Sequence, residues 1–540
     1  MRELANIPVA EMRGVNKLFL AYTAQFEQLA DFYDADYRAL AADGVQAIAG
    51  REYPRPQIAA ILAEQNEPWG ASEKTRRHLD ALAQAGSVAV VTGQQTGLFG
   101  GPLFTLYKAL TCVKLAEKLS AVWQRTVVPI FWLAADDDDL AEVNRTTILT
   151  RENALLDLSV TFENETRRPM SNIILPESVL ACQQQLDEAI LASEFKSDML
   201  AALAEAYSPG RSLVEAFARW LSFLLAEFGL VLLDPTTPAI KQLAIPIFSK
   251  EIAGHSPSTT AAMRASAALE QAGYAPQVPQ RAGRCNLFYV DNQRHALELQ
   301  DGVYAAAGGA LRLTQEEWLR RIQQTPQSFS PNVILRPVLQ DFLLPTVAYV
   351  AGAAEIAYFA QLRGVYEAFG VRMPAIYPRA TLTLLEKKIL HVLEKYDLRL
   401  TDFWQNPAQL LNRIAKRETP EELFAPLAEA RAALSKSLPV VKERTAALDP
   451  TLSAFLDKEQ GKIFHQLETI EKKIVQAHKR KNETLQQQLE KGSNAFYPHQ
   501  HLQERQLNLI PFLCKYGKGL VRKIYEELEL EGFQHQIVEL

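Results

Sequence analysis

The run Ser87-Val-Ala-Val-Val-Thr-Gly-Gln-Gln-Thr-Gly-Leu-Phe-Gly-Gly-Pro102 decides the fold class. Its first half is an unbroken apolar stretch, as expected of a strand buried on both faces. Glycines at 93, 97, 100 and 101 follow, and Pro102 opens an amphipathic segment with Leu103, Leu106, Leu110, Val113 and Leu119 near one face. Strand, glycine loop and helix start in that order predict main-chain N–H groups converging on an anion, a phosphate or a carboxylate, at the positive end of a helix. The spacing is not G-x-G-x-x-G and lacks the Gly-Lys-Ser/Thr ending of a P-loop, so neither a nicotinamide nor an NTPase fingerprint is present. Val127-Val-Pro-Ile-Phe-Trp-Leu-Ala134 supplies the next strand and completes a β-α-β unit. Both loops then lie on one edge of a parallel sheet.

At 540 residues the chain exceeds what one core organises. With 48% hydrophobic and 22% charged residues and a net charge of −6, it has no general attraction for nucleic acid or anionic membranes. Cys112, Cys182, Cys285 and Cys514 are widely spaced, which predicts reduced thiols in a cytoplasmic protein and neither a disulfide scaffold nor a zinc site. The N-terminus has no long apolar core, which predicts no signal peptide, and the apolar stretch 221–233 contains Glu227 and is too short to span a bilayer.

Core-like segments are expected over 1–150, 216–250 and 331–384, with connecting insertions over 151–215 and 251–330, where strong apolar strands disappear. Sheet-like runs return at Leu230-Val-Leu-Leu-Asp234, Val333-Ile-Leu335, Val347-Ala-Tyr-Val350 and Ala375-Ile-Tyr377. Residues 385–500 read as long charged helices. Ile463, Leu467, Ile470, Ile474 and Ala477 step as a coiled-coil seam, and Phe424, Leu427, Ala430 and Leu434 offer an antiparallel partner interrupted by Pro439 and Pro450. The segment 501–540 is apolar enough to return to the core.

Asp136-Asp-Asp-Asp139 follows the second strand. Carboxylates about 6 Å apart repel by about 3 kcal/mol at an effective dielectric near 20, so a partly buried cluster needs a cation, a proton or an amine. The alternative is a solvated loop whose last aspartate caps a helix starting near Leu140. Arg336, Gln340 and Asp341 sit beside an apolar run, where Arg336 suits capture of a carboxylate or phosphate or else pairs with Asp341. Glu355 and Tyr358 share a helix face, although Glu355 also suits a first helical turn. Arg379 is a further anion-binding candidate. Gln94, Gln95 and Thr96 offer neutral donors, and Lys108 a charge that alone would face solvent. The histidines form no metal-spaced cluster, and no metal is expected.

These segments together resemble the BshC family, the cysteine ligases of bacillithiol biosynthesis. The resemblance runs over essentially the whole chain. It rests on Thr92-Gly-Gln-Gln-Thr-Gly-Leu-Phe-Gly-Gly-Pro-Leu-Phe-Thr-Leu-Tyr-Lys108, Pro129-Ile-Phe-Trp-Leu-Ala134, Val333-Ile-Leu-Arg-Pro-Val-Leu-Gln-Asp-Phe-Leu-Leu-Pro345, Glu355-Ile-Ala-Tyr358 and Leu507-Asn-Leu-Ile-Pro-Phe512. It implies an α/β fold: a Rossmann-like parallel-sheet core with inserted connecting subdomains, and a long α-helical coiled-coil domain that pairs two subunits. The implied reaction joins cysteine to the sugar amine of glucosaminyl-malate through an amide.

On the matching motifs, substrate or anion contacts are expected at Gly93, Gln94, Gln95, Gly97, Thr105, Lys108, Asn144, Arg336, Gln340, Asp341, Glu355, Tyr358 and Arg379. Proton transfer is expected from Asp136, Asp138 or Asp139. ATP is the candidate activating nucleotide, although no ATP motif is recognisable, and Arg505 and Lys515 are candidates for a second nucleotide site. The family pattern holds histidines where this chain has Asp138 and Arg145, so a role resting on them does not transfer. The rival expectation is a non-catalytic, metabolite-binding coiled-coil partner of a separate cysteine-activating enzyme.

Overall fold

The computed structural model describes the chain except residues 41, 164–166, 301, 308–310, 419–420 and 481–482. It divides into two compact units, one made of Met1–Leu384 with Gln503–Leu540 and the other of Leu385–Leu502.

The first unit is built on five strands, β1 (Val88–Gln94), β2 (Val127–Leu133), β3 (Val231–Leu233), β4 (Thr346–Ala351) and β5 (Ala375–Pro378). Their order across the sheet is β5-β4-β1-β2-β3, and every neighbouring pair is parallel. The chain moves outward from β1 through β2 to β3, then returns to place β4 on the other side of β1. Strand order therefore reverses between β1 and β4, and a crevice opens beyond their C-terminal ends. Val88, Ala89, Val90 and Val91 are each 0% exposed. Successive strand side chains point to opposite faces, so both faces are covered, as the apolar run predicts.

Four helices frame the crevice: α1 (Leu103–Trp123), α2 (Pro238–Ala253), α3 (Arg336–Leu343) and α4 (Ala353–Phe359). The apolar pattern of α1 predicts one buried face, yet every residue from Thr105 to Val113 is buried. The C-terminal segment explains the difference: Leu103 N–H donates to Leu507 O at 2.9 Å, and Gln503–Gln506 packs on the helix. The terminal strands Arg2–Pro8 and Gln534–Glu539 pair antiparallel in a small sheet that includes Thr381–Leu385.

Two sequence expectations change. Val333–Leu335 is a turn and not a strand. Asn332 Oδ1 accepts from the Ile334 and Leu335 N–H groups at 2.9 and 3.2 Å, and Pro337 sits in the first turn of α3. The stretch 251–330 contains a five-stranded antiparallel sheet: Arg284–Val290, Arg294–Gln300, Val303–Ala306, Arg312–Leu313 and Phe329–Pro331. Its strands mix buried with half-exposed positions, and polar residues interrupt their apolar runs, so a search for continuous apolar runs passes over them.

In the second unit, Ala425–Ala446 and Leu452–Arg480 form a helical hairpin. Arg431 meets Glu468 at 3.1 Å and Lys442 meets Asp457 at 2.5 Å, the register of an antiparallel pair. Pro439 lies inside the first helix without ending it, and Pro450 falls in the turn between the two. Ala425–Ala446 buries no residue, and Ile463 and Ile470 of the seam are 37% and 45% exposed.

Candidate functional site

A cavity of about 740 Å³ occupies the crevice at the point where strand order reverses. That is large enough for a drug- or nucleotide-sized ligand. Gly93, Gln94 and Gln95 enter from β1, Asp136 and Asp137 from the loop after β2, and Gly352, Glu355 and Tyr358 from the start of α4. Arg336 of α3, Lys108 and Phe104 of α1, Arg379 after β5, and Arg505 complete one side. Gln280, Arg284, Phe288 and Arg294, from and just before the antiparallel sheet, supply the facing wall.

The cationic side chains fall into two groups according to their partners. Lys108 is buried and ion-pairs with Glu355, while its Nζ donates to Gly93 O at 2.9 Å and Gln94 Oε1 at 3.0 Å. Burial raises the Glu355 carboxyl, but Lys108, the Gly352 N–H and the Tyr349 hydroxyl outweigh it and hold its pKa below the ordinary carboxylate value. Arg379 forks onto Glu504 at 3.0 and 2.6 Å. Arg294 donates to Asp138 at 2.6 Å while lying 4.0 Å from the Phe288 ring centre. Those charges are spent inside the protein.

Arg336 belongs to the second group. Its Nη1 donates to Gln340 Oε1 at 2.9 Å, its Nη2 to the Tyr358 hydroxyl at 3.4 Å, and it lies 5.4 Å from the Tyr349 ring centre. Among the described residues no carboxylate lies within ion-pairing distance of Arg336, Arg284 or Arg505, and all three line the cavity. The site therefore keeps three guanidinium groups available for an anion.

The acidic loop is settled largely by cations from the chain itself. Lys241 of α2, 1% exposed, donates to both oxygens of Asp136 at 2.7 and 2.9 Å, and Arg294 takes Asp138. Asp139 is exposed and accepts from Glu142 N–H at 3.3 Å, so it caps the short helix Leu140–Val143, the alternative that the sequence leaves open for it. Asp137 faces the cavity together with Glu142, and the Gln95 amide donates to both, at 2.7 and 2.8 Å. This pair is the acidic part of the cavity lining. Asp137 belongs to the expected aspartate motif, although Asp136, Asp138 and Asp139 are the members singled out for proton transfer, and Glu142 lies outside that motif.

At the far end of the glycine loop the N–H groups expected to cradle an anion are turned inward: Gly97 N–H donates to Gln95 O at 3.0 Å and Gly101 N–H to Leu98 O at 3.0 Å. Gly100 N–H donates to the Tyr207 hydroxyl at 2.8 Å, and that hydroxyl donates to Gly97 O at 3.1 Å. Asn508 Nδ2 donates to Phe99 O and Gly101 O at 3.0 and 2.9 Å, and Leu507 O takes the first N–H of α1. The glycines serve close packing instead. A Cβ on Gly97 would lie 2.9 Å from Gly101 Cα, and one on Gly100, at φ +89°, would lie 2.9 Å from the Trp220 indole.

Of the expected binding residues, Gly93, Gln94, Gln95, Lys108, Arg336, Glu355, Tyr358 and Arg379 share the cavity, and Arg505 joins them there. Gly97 and Thr105 lie outside it in the closed loop and in α1, and Asn144 ends the helix that Asp139 caps. Gln340 and Asp341 are buried behind Arg336. Lys515 lies on the helix Ile510–Tyr516, 5.3 Å from the Tyr516 ring centre and outside the cavity. Sequence reasoning passes over Arg284, Arg294 and Lys241. Lys241 leaves a faint signal as a lone lysine among Ile240, Ala244 and Ile245, whereas the two arginines belong to the overlooked sheet. Among the described residues no group of three His, Cys, Asp or Glu side chains is placed to hold a metal ion.

Comparison with known proteins bears on the same segments. Residues 3–380 match the family model described as "Bacillithiol biosynthesis BshC, N-terminal Rossmann-like domain", and residues 382–540 match the corresponding C-terminal coiled-coil domain. Proteins named "Putative cysteine ligase BshC" are similar over nearly their whole length. The one from Salinibacter ruber is 36% identical over 98% of this chain and 97% of its own. Those from Koribacter versatilis and Chlorobaculum tepidum are 35% and 33% identical, over 95% and 98% of this chain and 96% and 97% of their own. A solved structure named "putative arginyl t-RNA synthetase", from Campylobacter jejuni, aligns over 87% of this chain and 98% of its own at a TM-score of 0.23 and 10% identity, a likeness too slight to carry an argument. With both domains matched in order and relatives aligned from end to end, the chain belongs to the BshC family of bacillithiol biosynthesis.

Proposed function

We propose that this chain is a ligase that joins the carboxyl of cysteine to the 2-amino group of glucosaminyl-malate, forming the amide of bacillithiol. The names of its relatives support cysteine ligation. The observation that carries the substrate assignment is one cavity lined by charges of both signs. Arg284, Arg336 and Arg505, without carboxylate partners, suit the two carboxylates of a malyl group, and Asp137 with Glu142 suits the sugar ammonium. Gln95 spaces those two acids; Asp137 Oδ1 also accepts from Asp138 N–H at 2.8 Å and lies 3.9 Å from Arg294, so Glu142 is the more open of the two to a further donor.

An ammonium must lose its proton before its nitrogen attacks, and Asp137 or Glu142 is the group placed to accept it. Asp136 and Asp138, engaged by Lys241 and Arg294, hold the loop that presents Asp137. A carboxylate does not acylate an amine without activation, and ATP is the proposed source, as an acyl-adenylate or an acyl phosphate. The N–H groups of Gly97, Gly100, Gly101 and Leu103 are taken within the chain, so in this reading phosphate oxygens would be held by the same free arginines.

The reaction belongs in the cytoplasm in this reading, in keeping with four free, buried cysteines. No helix among the described residues is long and apolar enough to cross a membrane. The exposed seam around Ile463 and Ile470 supports a homodimer through the helical unit.

Purified protein incubated with cysteine, glucosaminyl-malate and ATP is expected to yield the amide, read by mass spectrometry. AMP as co-product assigns the adenylate, and ADP the acyl phosphate. Substrate binding without turnover favours a metabolite-binding partner of a separate activating enzyme, and absence of both binding and turnover refutes the assignment.

A further inference from the structure

Arg336 is held on three sides, yet nothing that holds it carries a negative charge: its supports are the Gln340 carbonyl oxygen, the Tyr358 hydroxyl and the face of Tyr349. Gln340, one helical turn along α3, is 0% exposed and does not reach the cavity. A glutamine amide has two ends of nearly equal size. Turned about, it would present N–H groups to the guanidinium, and the contact would become repulsive.

The next residue fixes that orientation. Asp341 Oδ1 accepts from Gln340 Nε2 at 2.8 Å, so the amide nitrogen is committed away from Arg336 and the oxygen toward it. Asp341 Oδ2 in turn accepts from the Tyr366 hydroxyl at 2.5 Å, and Asp341 is only 2% exposed. A relay thus runs from Tyr366 through Asp341 and Gln340 to Arg336, with the carboxylate kept one residue away from the guanidinium.

We propose that Gln340 and Asp341 are positioning residues that orient Arg336 through a neutral amide, so that its fork stays aimed and un-neutralised for a carboxylate or phosphate of the bound substrate. The inference rests on the reading of the cavity as an anion site and adds how its charge is kept free. The contrast lies within the same cavity, where Arg379 and Lys108 are immobilised by direct carboxylate contact. Placing Asp341 directly on Arg336 would hold the arginine as firmly and spend its charge.

The test uses the full chain and titrates L-malate by calorimetry, with melting temperature recorded alongside. Gln340→Glu gives Arg336 a carboxylate partner, although it also sets that carboxylate against Asp341, and the expected result is at least about a tenfold loss of malate affinity in protein that still melts cooperatively. A purely structural role predicts no such loss. Gln340→Met removes the accepting oxygen at similar volume and is expected to weaken malate binding, while Asp341→Asn, which keeps an acceptor for the glutamine, retains most of it. If Gln340→Glu does not accumulate folded, the comparison of Gln340→Met with Asp341→Asn decides. Malate affinity equal to wild type in the folded Gln340 variants overturns the relay, as does a wild-type protein that takes up no malate at millimolar concentration. Wild-type protein that binds malate but makes no amide refutes the ligase reading and leaves the relay intact.

Discussion

Replacing Glu504 by glutamine removes one negative charge, and almost no volume, from a place with little water. The Glu504 and Arg379 side chains are 1% and 8% exposed, and the guanidinium forks onto the carboxylate at 3.0 and 2.6 Å. Leu382 N–H adds a third bond to the same carboxylate at 3.2 Å. In Glu504→Gln one oxygen becomes an NH₂ group facing a guanidinium, so a buried cation loses its counter-charge and meets a donor. Breaking a buried pair in this way costs about 3–5 kcal/mol. With an unfolding entropy of about 2.1 cal/mol/K per residue over a unit of roughly 420 residues, that corresponds to a fall of about 3–6 °C in melting temperature.

The assay is differential scanning calorimetry at pH 7, with malate titration on the same samples. Burial raises the Glu504 carboxyl, but Arg379 outweighs it, and the folded pKa lies below the ordinary 4.5. The pair's contribution is therefore complete above pH 4.5 and is lost only as pH falls through the lowered value, so neutral pH reads all of it. The apolar double variant Arg379→Met, Glu504→Met is expected to recover more than half of the loss, because no charge is then left buried alone. Malate affinity in Glu504→Gln is not expected to fall, since the Arg379 charge is already neutralised in the wild type. Unchanged melting in Glu504→Gln, or a malate affinity that drops with it tenfold, would refute the division of the cavity's arginines into spent and free.

Other outcomes follow from the same structure. Arg336→Ala is expected to raise KM for glucosaminyl-malate at least about tenfold, whereas Asp139→Ala loses only a helix cap, about 1 kcal/mol of stability, and keeps turnover; steady-state kinetics beside thermal melting checks both. Gly100→Ala forces φ +89° on an alanine and a Cβ to 2.9 Å from Trp220, so it is expected to cost about 2–3 kcal/mol in denaturant unfolding. Burial, with Glu504 opposing and Arg379 assisting, lowers the His535 pKa to about 4 from 6.5. Unfolded chains then bind the proton first, so stability present above pH 6.5 is expected to fall by about 3 kcal/mol on the way to pH 4, and His535→Gln is expected to flatten that slope of melting temperature against pH. Leu467→Glu with Ile474→Glu is expected to give monomers in light scattering; an unchanged mass would show that the seam does not join subunits.

The parallel core was legible because its signal is local. Val88 to Val91 and Val127 to Leu133 are apolar on both faces, and a strand buried on both faces is written in consecutive residues. The crevice followed from topology, since any side chain just past β1, β2 or β4 must arrive at one edge. The antiparallel sheet over 284–331 was not legible. Its two longest strands equal β1 and β2 in length but interleave Arg284, Asn286, Arg294, His295, Glu298 and Gln300 with apolar residues, and its remaining strands have two to four residues. The glycine loop misled for a related reason. Spacing shows that a loop is tight and cannot show whether its N–H groups meet a ligand or Tyr207 and Leu507.

Charge is where sequence reading reached its limit, and the reason is distance along the chain. Asp136 finds Lys241 across 105 positions, Asp138 finds Arg294 across 156, and Arg379 finds Glu504 across 125. The four adjacent aspartates therefore read as one cluster awaiting a cation, when two had cations, one was a helix cap, and Asp137, 3.9 Å from the Arg294 guanidinium, reaches the cavity beside Glu142. The arginines follow the same logic in reverse: Arg336 and Arg379 look equivalent in sequence, and only their partners distinguish a binding group from a structural one. A pocket's chemistry is set by the charges left over once the fold has paired the rest. Here the remainder is guanidinium from Arg284, Arg336 and Arg505 and carboxylate from Asp137 and Glu142, the combination on which a substrate that carries both an amine and carboxylates is proposed.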